Sequence, residues 1–197
     1  MAKSSKQWLR RHVTDHYVRK ARAQGYRSRA AYKLLEIDSQ HKLLRPGMIV
    51  VDLGAAPGGW SQVAAAKVKP GGRVIAVDLL PIAPISGVEV IQGDFREATL
   101  LPGGKADLVL SDLSPNLSGI GNVDQARALE LSGAAIDLCR KTLKPDGVFL
   151  VKAFQGEAFG ELVQRLKHSF SKVKVVKPPA SRGESSETYV VARGLAA

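Results

Sequence analysis

Strand-like and helix-like segments alternate along most of this 197-residue chain. Short apolar runs rich in Val and Ile predict strands, and the longer stretches between them predict helices. Strands that alternate with helices pair in parallel, so the pattern predicts an α/β fold with a mostly parallel sheet and helices on both faces. The predicted strands are 48–54, 72–78, 87–94, 106–112, 147–152, 172–177 and 187–193, and the predicted helices are 28–44, 60–68, 122–144 and 156–170. No helix separates the last two strands, so we expect a seven-stranded sheet whose last strand is antiparallel.

The composition excludes several classes of protein. Hydrophobic residues make up 45% of the chain and charged residues 24%, as in ordinary globular domains. Cys139 is the only cysteine, so no internal disulfide forms and we expect a reducing, cytoplasmic location. No segment approaches the ~20 apolar residues of a membrane span. The basic N-terminus lacks the apolar core of a secretory signal, and an organellar transit peptide is a minor alternative.

Positive charge is concentrated at the N-terminus. The chain has a net charge of +11, and residues 1–33 carry ten Lys and Arg side chains against Asp15 alone. Such asymmetry is typical of nucleic-acid-binding proteins. Four aromatic residues lie among these charges and suit base stacking: Trp8, Tyr17, Tyr26 and Tyr32. The alternative is a solvated face whose aromatic side chains anchor it to the core.

The residues that end the predicted strands indicate a ligand site. In an open parallel sheet, ligands bind beyond the carboxyl ends of the strands, near the point where strand order reverses. The first strand leads into Gly54, Gly58 and Gly59, which let a ligand approach the backbone closely. The second ends in Asp78, placed to bind a ribose diol, and the third leads to Asp94, placed to accept from an amino group such as that of adenine. Each acid alone is commonly a turn residue or helix cap, but the three strand ends together predict a nucleoside pocket.

Two kinds of nucleoside cofactor fit a pocket of this type. A dinucleotide-dependent oxidoreductase uses G-x-G-x-x-G to hold a pyrophosphate. The glycines here break that spacing, and Pro57 removes one N–H from the loop. S-adenosylmethionine has no phosphate and fits such a loop. The pattern D-x-G-x-x-P-G-G, from Asp52 to Gly59, resembles motif I of the Rossmann-like methyltransferases.

A lysine ends the predicted core strand 147–152. Lys152 follows four apolar residues and precedes Ala153 and Phe154. Burying an ammonium group is costly unless the group is paired or loses its proton. A lysine that extends from a strand end to water is the alternative, but the apolar residues on both sides disfavour it.

Motifs spread over essentially the whole chain carry a family resemblance. They are SRAAYKL, DLGAAPGGWSQ, DLLP, QGDF, SDLSPNLSG, VKAFQGE and SRGESSETYVVA. Together they are similar to those of the FtsJ/RlmE family of ribosomal RNA ribose 2′-O-methyltransferases. The resemblance implies a Rossmann-like class I S-adenosylmethionine-dependent methyltransferase fold. Ser114 is a departure, because bacterial members more often have alanine there, and it could alter the loop that holds Asp112.

The resemblance also implies the site residues. The implied catalytic set is Lys33, Asp112, Lys152 and Glu187. The implied positions for S-adenosylmethionine are Asp52, Gly54, Gly58, Gly59, Trp60, Asp78, Asp94 and Asp112. No metal is expected, since methyl transfer from a sulfonium needs none and no acid or cysteine joins His12 and His16.

The same resemblance implies the substrate, which is a uridine in the A-loop of 23S ribosomal RNA, within the assembled large subunit. From the concentration of positive charge at the N-terminus, we predict a basic RNA-binding extension over residues 1–27, followed by a single methyltransferase domain over residues 28–197. We expect a monomer with neither a membrane nor a DNA partner.

Strand geometry supports the convergence of the implied catalytic residues. Asp112 and Lys152 end neighbouring parallel strands, whose carboxyl ends lie about 5 Å apart. Glu187 opens the last strand, which starts at the same edge if it is antiparallel. Without the resemblance, Lys33 is better explained by a helix-surface pair with Glu36.

The chemistry leaves two roles open for Lys152. A ribose 2′-OH is a poor nucleophile until its proton leaves. Burial and a second ammonium group lower a lysine pKa from about 10.4 and favour a neutral base, whereas Asp112 and Glu187 oppose that change. Lys152 either removes the proton or orients the hydroxyl oxygen.

Three alternative functions stay open. The same enzyme class could act on tRNA or on an mRNA cap. The chain could be a non-catalytic RNA-binding ribosome assembly factor, although all four catalytic residues are present. A nucleotide-dependent oxidoreductase is disfavoured by the glycine spacing.

Overall fold

Seven strands form one sheet with helices on both faces. The computed structural model describes residues 15–98, 100–101, 104–115, 118–119, 121–183 and 185–196. The helices are α1 His16–Ala23, α2 Ala30–His41, α3 Gly59–Lys67, α4 Gly121–Thr142 and α5 Phe159–Ser169. The strands are β1 Ile49–Leu53, β2 Arg73–Asp78, β3 Val88–Gln92, β4 Ala106–Ser111, β5 Leu143–Phe154, β6 Phe170–Val176 and β7 Glu187–Leu195. All the predicted elements are present, and α1 is an additional helix within the segment predicted as an extension.

The strand order confirms the predicted topology. It is β3-β2-β1-β4-β5-β7-β6, and β7 runs antiparallel to both β5 and β6. The other neighbouring strands pair in parallel. Chain order reverses between β1 and β4, so the ligand crevice of such a sheet is expected at the carboxyl ends of these two strands.

Two apolar layers sandwich the sheet. On one face, α4 and α5 pack on β-strand residues such as Phe149 and Val151. On the other face, α2 and α3 pack on the alternate residues, including Leu150 and Tyr189. Successive side chains of β5 point to opposite faces of the sheet, and both faces are covered by helices. Apolar residues are therefore needed at nearly every position of this strand.

Helix α1 packs against the domain through a small aromatic cluster. Asp15 caps its N-terminus by accepting from the Tyr17 N–H. Ala21 and Tyr32 are buried together with Ala180 of the β6–β7 loop. The described part of the predicted extension is therefore in contact with the folded domain, and the boundary at residue 27 stays a prediction. Residues 1–14, with Trp8 and His12, lie outside the described residues.

None of the helices in the described ranges is long and apolar enough to cross a bilayer.

Candidate active site

The pairing of β4 with β5 brings Asp112 and Lys152 together. Ser111 is in register with Val151, so the next residue of each strand lies side by side at the carboxyl edge. The Lys152 ammonium donates to the Asp112 carbonyl oxygen at 2.7 Å and lies 3.2 Å from the Asp112 Oδ1. The Lys152 side chain is 8% exposed. Its burial is thus compensated by two oxygens of one residue.

Strand β7 adds Glu187 and Tyr189 to the same edge. Its antiparallel register pairs Tyr189 with Lys152 and Glu187 with Phe154. The Tyr189 hydroxyl donates to Asp112 Oδ1 at 3.1 Å. Burial, and then the charges of Asp112 and Glu187, raise the pKa of Tyr189. The phenol therefore stays protonated and holds the Asp112 carboxylate as a donor.

Helix α2 supplies Lys33 across the carboxyl edge. The Lys33 ammonium lies 2.7 Å from Glu187 Oε1 and 2.8 Å from Oε2. Burial by itself would raise the pKa of the Glu187 carboxyl, but the Lys33 ammonium and further donors outweigh it, so the pKa lies below its usual value. One of these donors is the Ser181 hydroxyl, at 3.0 Å from Oε1. Glu187 is thus ionised at neutral pH.

The alternative explanation of Lys33 as a partner of Glu36 is wrong. The Glu36 carboxylate accepts from the Tyr17 hydroxyl at 2.9 Å and from the Ala180 N–H at 2.6 Å. Lys33 instead pairs with Glu187, which is 154 residues away in sequence.

The four residues predicted as catalytic gather in two adjacent ion pairs. Tyr189 stands between the pairs, with its hydroxyl on Asp112 and its ring centroid 5.7 Å from the Lys33 nitrogen. The sequence prediction missed Tyr189 and Ser181. Tyr189 had a detectable signal, because residues two apart in a strand face the same side and Glu187 was already assigned.

A cleft beside these pairs opens at the ends of β1 and β4. Its lining includes Ser28, Asp52, Gly54, Gly59 and Asp112. Gly54 has a φ of +70°, and a Cβ there would lie 2.8 Å from the Leu113 Cδ2. A Cβ on Gly59 would collide with the Ser28 hydroxyl. The loop is therefore closely packed by its neighbours and has no room for larger residues.

Asp52 presents an unpaired buried acceptor in this cleft. Its side chain is fully buried, and Oδ2 accepts from the Ser61 hydroxyl at 2.6 Å. Oδ1 has no hydrogen-bond partner among the described residues. Burial raises the pKa of Asp52 to about 7, with the Ser61 hydrogen bond opposing and the Asp112 and Asp78 charges adding to the rise. A cation placed at Oδ1 would stabilise the ionised form.

The other two predicted acids also lie at strand ends. Asp78 accepts from the Ala56 N–H at 2.9 Å and from the Leu80 N–H at 2.8 Å. Asp94 pairs with Arg96, whose Nε lies 2.9 Å from Oδ1, and the hydrogen bonds from Arg96 hold the pKa of Asp94 below its usual value. Asp78 thus joins its own turn to the loop after β1, whereas Asp94 stabilises its own turn. Contact of either acid with a cofactor stays a prediction.

Trp60 of α3 is one of the residues that line the cleft. Its side chain is buried, its indole N–H donates to the Ala30 carbonyl at 2.8 Å, and its ring centroid lies 5.7 Å from that of Tyr189. It therefore links α2, α3 and β7, and a direct role in cofactor binding stays a prediction.

Among the residues that the structure describes, no group of three or more His, Cys, Asp or Glu side chains could hold a metal ion.

The chain is similar in sequence and in fold to known methyltransferases. The sequence model of a family described as FtsJ-like methyltransferase matches residues 26–195. Ribosomal RNA large subunit methyltransferase E of Thiobacillus denitrificans is 54% identical, covering 97% of this chain and 90% of that protein. The protein of the same name from Legionella pneumophila strain Corby is 52% identical, covering 98% and 97%. A crystal structure from Plasmodium falciparum, described as a ribosomal RNA methyltransferase, matches with a TM-score of 0.77 and 29% identity over 86% of this chain and 98% of that one. This chain therefore belongs to the FtsJ-like methyltransferase family.

Proposed function

We propose that this chain transfers a methyl group from S-adenosylmethionine to the ribose 2′-oxygen of a uridine in the A-loop of 23S ribosomal RNA. We propose the assembled large subunit as the substrate, a monomer as the active form and the cytoplasm as the location. Two ion pairs, Lys33–Glu187 and Lys152–Asp112, lie beside the glycine-lined cleft. This observation carries the proposal. The names of relatives above 50% identity support ribosomal RNA as the substrate.

The cleft has the donors and acceptors that S-adenosylmethionine requires. The unpaired Asp52 Oδ1 suits the α-ammonium group of its methionine part. Asp78, at the end of β2, keeps lone pairs for the ribose hydroxyls, and we assign Asp94 to the adenine amino group. Gly54, Gly58, Gly59, Trp60 and Asp112 complete the proposed cofactor site. When bound, S-adenosylmethionine supplies an electrophilic methyl group on a sulfonium sulfur.

Lys152 is placed to act on the acceptor oxygen. Two of its three N–H directions face Asp112, the third has no hydrogen-bond acceptor among the described residues, and we assign it to a ribose 2′-oxygen. The reaction breaks the 2′-O–H and sulfur–methyl bonds and forms an oxygen–methyl bond. As the oxygen–methyl bond forms, the proton passes to Lys152 where its amine is neutral. Where Lys152 is an ammonium group, it orients the hydroxyl oxygen toward the methyl group, and the proton passes from that oxygen to water.

The remaining residues keep Lys152 and the acceptor in position. The Tyr189 hydroxyl and the Lys152 ammonium both hold Asp112, so its carboxylate has little freedom. Glu187 is an anion held by its pairing with Lys33, and we assign this pair to the side of the acceptor ribose. Such fixed geometry matters because methyl transfer requires an in-line approach.

The described part of the N-terminal segment supports RNA binding. On α1, Val18 and Ala21 are buried, whereas Arg19, Lys20 and Arg22 are exposed. One helix thus packs on the domain with its apolar side and presents three cations to solvent. Phosphate contacts of this kind supply most of the salt-dependent affinity for nucleic acid.

Methyl transfer to isolated substrates tests the proposal. Large subunits from a strain without this methylation, incubated with the enzyme and S-adenosylmethionine labelled in the methyl group, should gain label at one ribose of 23S RNA. Protein-free 23S RNA, tRNA and capped mRNA serve as parallel substrates. Label on tRNA or the cap in place of the large subunit would support the alternative RNA substrates. Binding of the large subunit without transfer to any substrate would support the assembly factor.

A further inference from the structure

We propose that Arg27 is a positioning residue of the cofactor site, which ties the loop that lines the cleft to the loop that follows Asp78 and thereby sets the affinity for S-adenosylmethionine. The inference rests on the proposed function, since it takes S-adenosylmethionine as the cofactor. The two loops are the glycine loop, residues 54–58 between β1 and α3, and the proline loop, residues 79–87 between β2 and β3.

The Arg27 guanidinium bonds to both loops. Its Nη1 donates to the Pro57 carbonyl at 3.2 Å and to the Ala83 carbonyl at 2.6 Å, and its Nη2 donates to the Pro84 carbonyl at 2.7 Å. One planar group with fixed donor directions therefore spans the glycine loop and the proline loop.

The backbone around Arg27 is held on helix α3. The Arg27 N–H donates to the Gln62 Oε1 at 2.8 Å, and the Gln62 Nε2 donates to the Gly25 carbonyl at 3.0 Å. Because Gln62 lies in the first turns of α3, the guanidinium starts from a position that is fixed relative to the glycine loop. Ser28, the next residue, lines the cofactor cleft.

The proline loop depends on such an external donor. Residues 81–85 have no regular secondary structure, and carbonyl oxygens in such a segment need partners from elsewhere. The loop matters for the cleft because Asp78, just before it, holds Ala56 of the glycine loop. A Cβ on Gly58 would also lie only 2.5 Å from the Ile85 Cδ1, so the two loops are in close contact. Without Arg27, apolar packing would join the two loops directly, and the glycine loop would keep its hydrogen bonds to Val77 and Asp78, which precede the proline loop.

A simpler role for Arg27 is general attraction of RNA, as for any cation in the basic segment. That role needs only the charge, which lysine would retain. Positioning needs donors that reach three carbonyl oxygens on two loops, which a single ammonium on a flexible stem does not provide. The two roles therefore predict different effects of Arg27→Lys.

Calorimetric titration with S-adenosylmethionine tests the inference in the full-length enzyme. Arg27→Ala and Arg27→Lys should each raise the cofactor dissociation constant about ten-fold or more, as expected when charged hydrogen bonds are lost. Arg22→Ala, which removes an exposed cation from α1, is the matched control and should leave the cofactor affinity unchanged. Steady-state transfer should show a raised KM for the cofactor, with kcat at saturating cofactor within a few-fold of the unsubstituted enzyme.

RNA binding supplies the second readout. Arg27→Lys should bind large subunits like the unsubstituted enzyme while its cofactor affinity stays low. If Arg27→Lys restores the cofactor affinity, or if Arg27→Ala leaves it unchanged, the positioning role is wrong. If the unsubstituted enzyme itself does not bind S-adenosylmethionine, the proposed function fails, and this result is distinguishable from the other two.

Discussion

The ionisable side chains of the site are mostly compensated by partners from other elements. Lys152 of β5 forms an ion pair with Asp112, and Lys33 of α2 forms one with Glu187. Asp52 is the exception, because its Oδ1 is buried without a partner among the described residues. The paired residues suit the acceptor ribose, and the unpaired acid suits a cationic cofactor.

Substitution of Lys152 should abolish methyl transfer while preserving cofactor binding. Lys152→Ala removes the group that we propose acts on the 2′-oxygen, so the single-turnover rate with saturating cofactor should fall by about 10²–10⁴. Lys152→Arg should be nearly as slow, because a guanidinium has a different shape and does not become neutral. Calorimetry should find S-adenosylmethionine binding close to that of the unsubstituted enzyme.

Lys144→Ala is the matched control for this substitution. Lys144 lies on the same strand and pairs with Asp107 of β4 at 2.6 Å, at the opposite end of the strand pair. It should methylate at the normal rate. A Lys152→Ala enzyme within a few-fold of this control would show that Lys152 is only a structural partner of Asp112.

The raised pKa of Asp52 predicts a pH-dependent cofactor affinity. In the cofactor-free protein its pKa is about 7, against an ordinary value of 3.8. A bound ammonium group favours the ionised carboxylate, so affinity should rise with pH up to about 7.5 and binding at lower pH should release a proton. Calorimetry in buffers of different ionisation enthalpy measures both quantities. Asp52→Asn should bind more weakly and lose this pH dependence, and an unchanged pH profile in that variant would contradict the assignment.

The same pKa shift has a defined effect on stability. Between the unfolded value of 3.8 and about 7, the folded protein retains a proton that the unfolded chain has released. The contribution of Asp52 to the free energy of unfolding therefore decreases as pH rises through this range. Glu187 has the opposite sign, because its lowered pKa adds stability that is lost as pH falls through its folded value.

Among the elements, the glycine loop is the most sterically restricted part of the site. Gly58 precedes α3 with a φ of +108°, and a Cβ there would meet the Ile85 Cδ1 at 2.5 Å. Both the backbone conformation and the proximity of the proline loop therefore require glycine.

Gly58→Ala should lower both stability and cofactor affinity. The strained φ costs about 1–2 kcal/mol. The added Cβ would also displace the Ile85 Cδ1 and lie 3.3 Å from the Arg27 Cδ and Nη1, so it should disturb the contact between the two loops. Gly47→Ala is the matched control, because Gly47 has a φ of +82° with nothing within 4 Å of a Cβ. Urea denaturation should show a stability loss in both variants, whereas calorimetry should show weaker cofactor binding only for Gly58→Ala. Equal cofactor affinity in the two variants would mean that the close contact with Ile85 is unimportant for the site.

For the whole molecule, the uneven charge predicts separable RNA and cofactor functions. Residues 1–14 contain four Lys and Arg side chains and no acid. Their deletion should weaken binding to large subunits and reduce the slope of log affinity against log salt by up to about 3, at roughly 0.7–0.9 per phosphate contact. Cofactor affinity should not change. Replacement of the four cations by Gln should reproduce the effect, and an unaltered salt slope would exclude this segment from the RNA surface.

A longer deletion would not separate these functions. Removal of residues 1–27, the whole of the predicted basic extension, would also remove Arg27 and the packing of α1 on Tyr32. The tertiary contacts therefore favour residue 14 as the end of the deletion.

The chain pattern alone predicted most of the architecture and the position of the site. The spacing of apolar residues that predicts strands and helices is a property of short stretches of sequence. The glycine loop and the acids at strand ends are recognised from short stretches in the same way. The carboxyl edge followed from the alternation of elements, because parallel strands end together. The family motifs added the four catalytic candidates, of which the strand pattern supported Asp112, Lys152 and Glu187.

Only the tertiary structure decided which partner each side chain has. Lys33 had a plausible partner in Glu36, yet Glu36 is occupied by Tyr17 and Ala180, and Lys33 reaches Glu187 instead. The contacts of Tyr189 with Asp112 and of Arg27 with the two loops likewise join residues far apart in sequence. Such contacts depend on strand register and on where a helix crosses the sheet, and both are set by the packing of the whole core and not by local sequence.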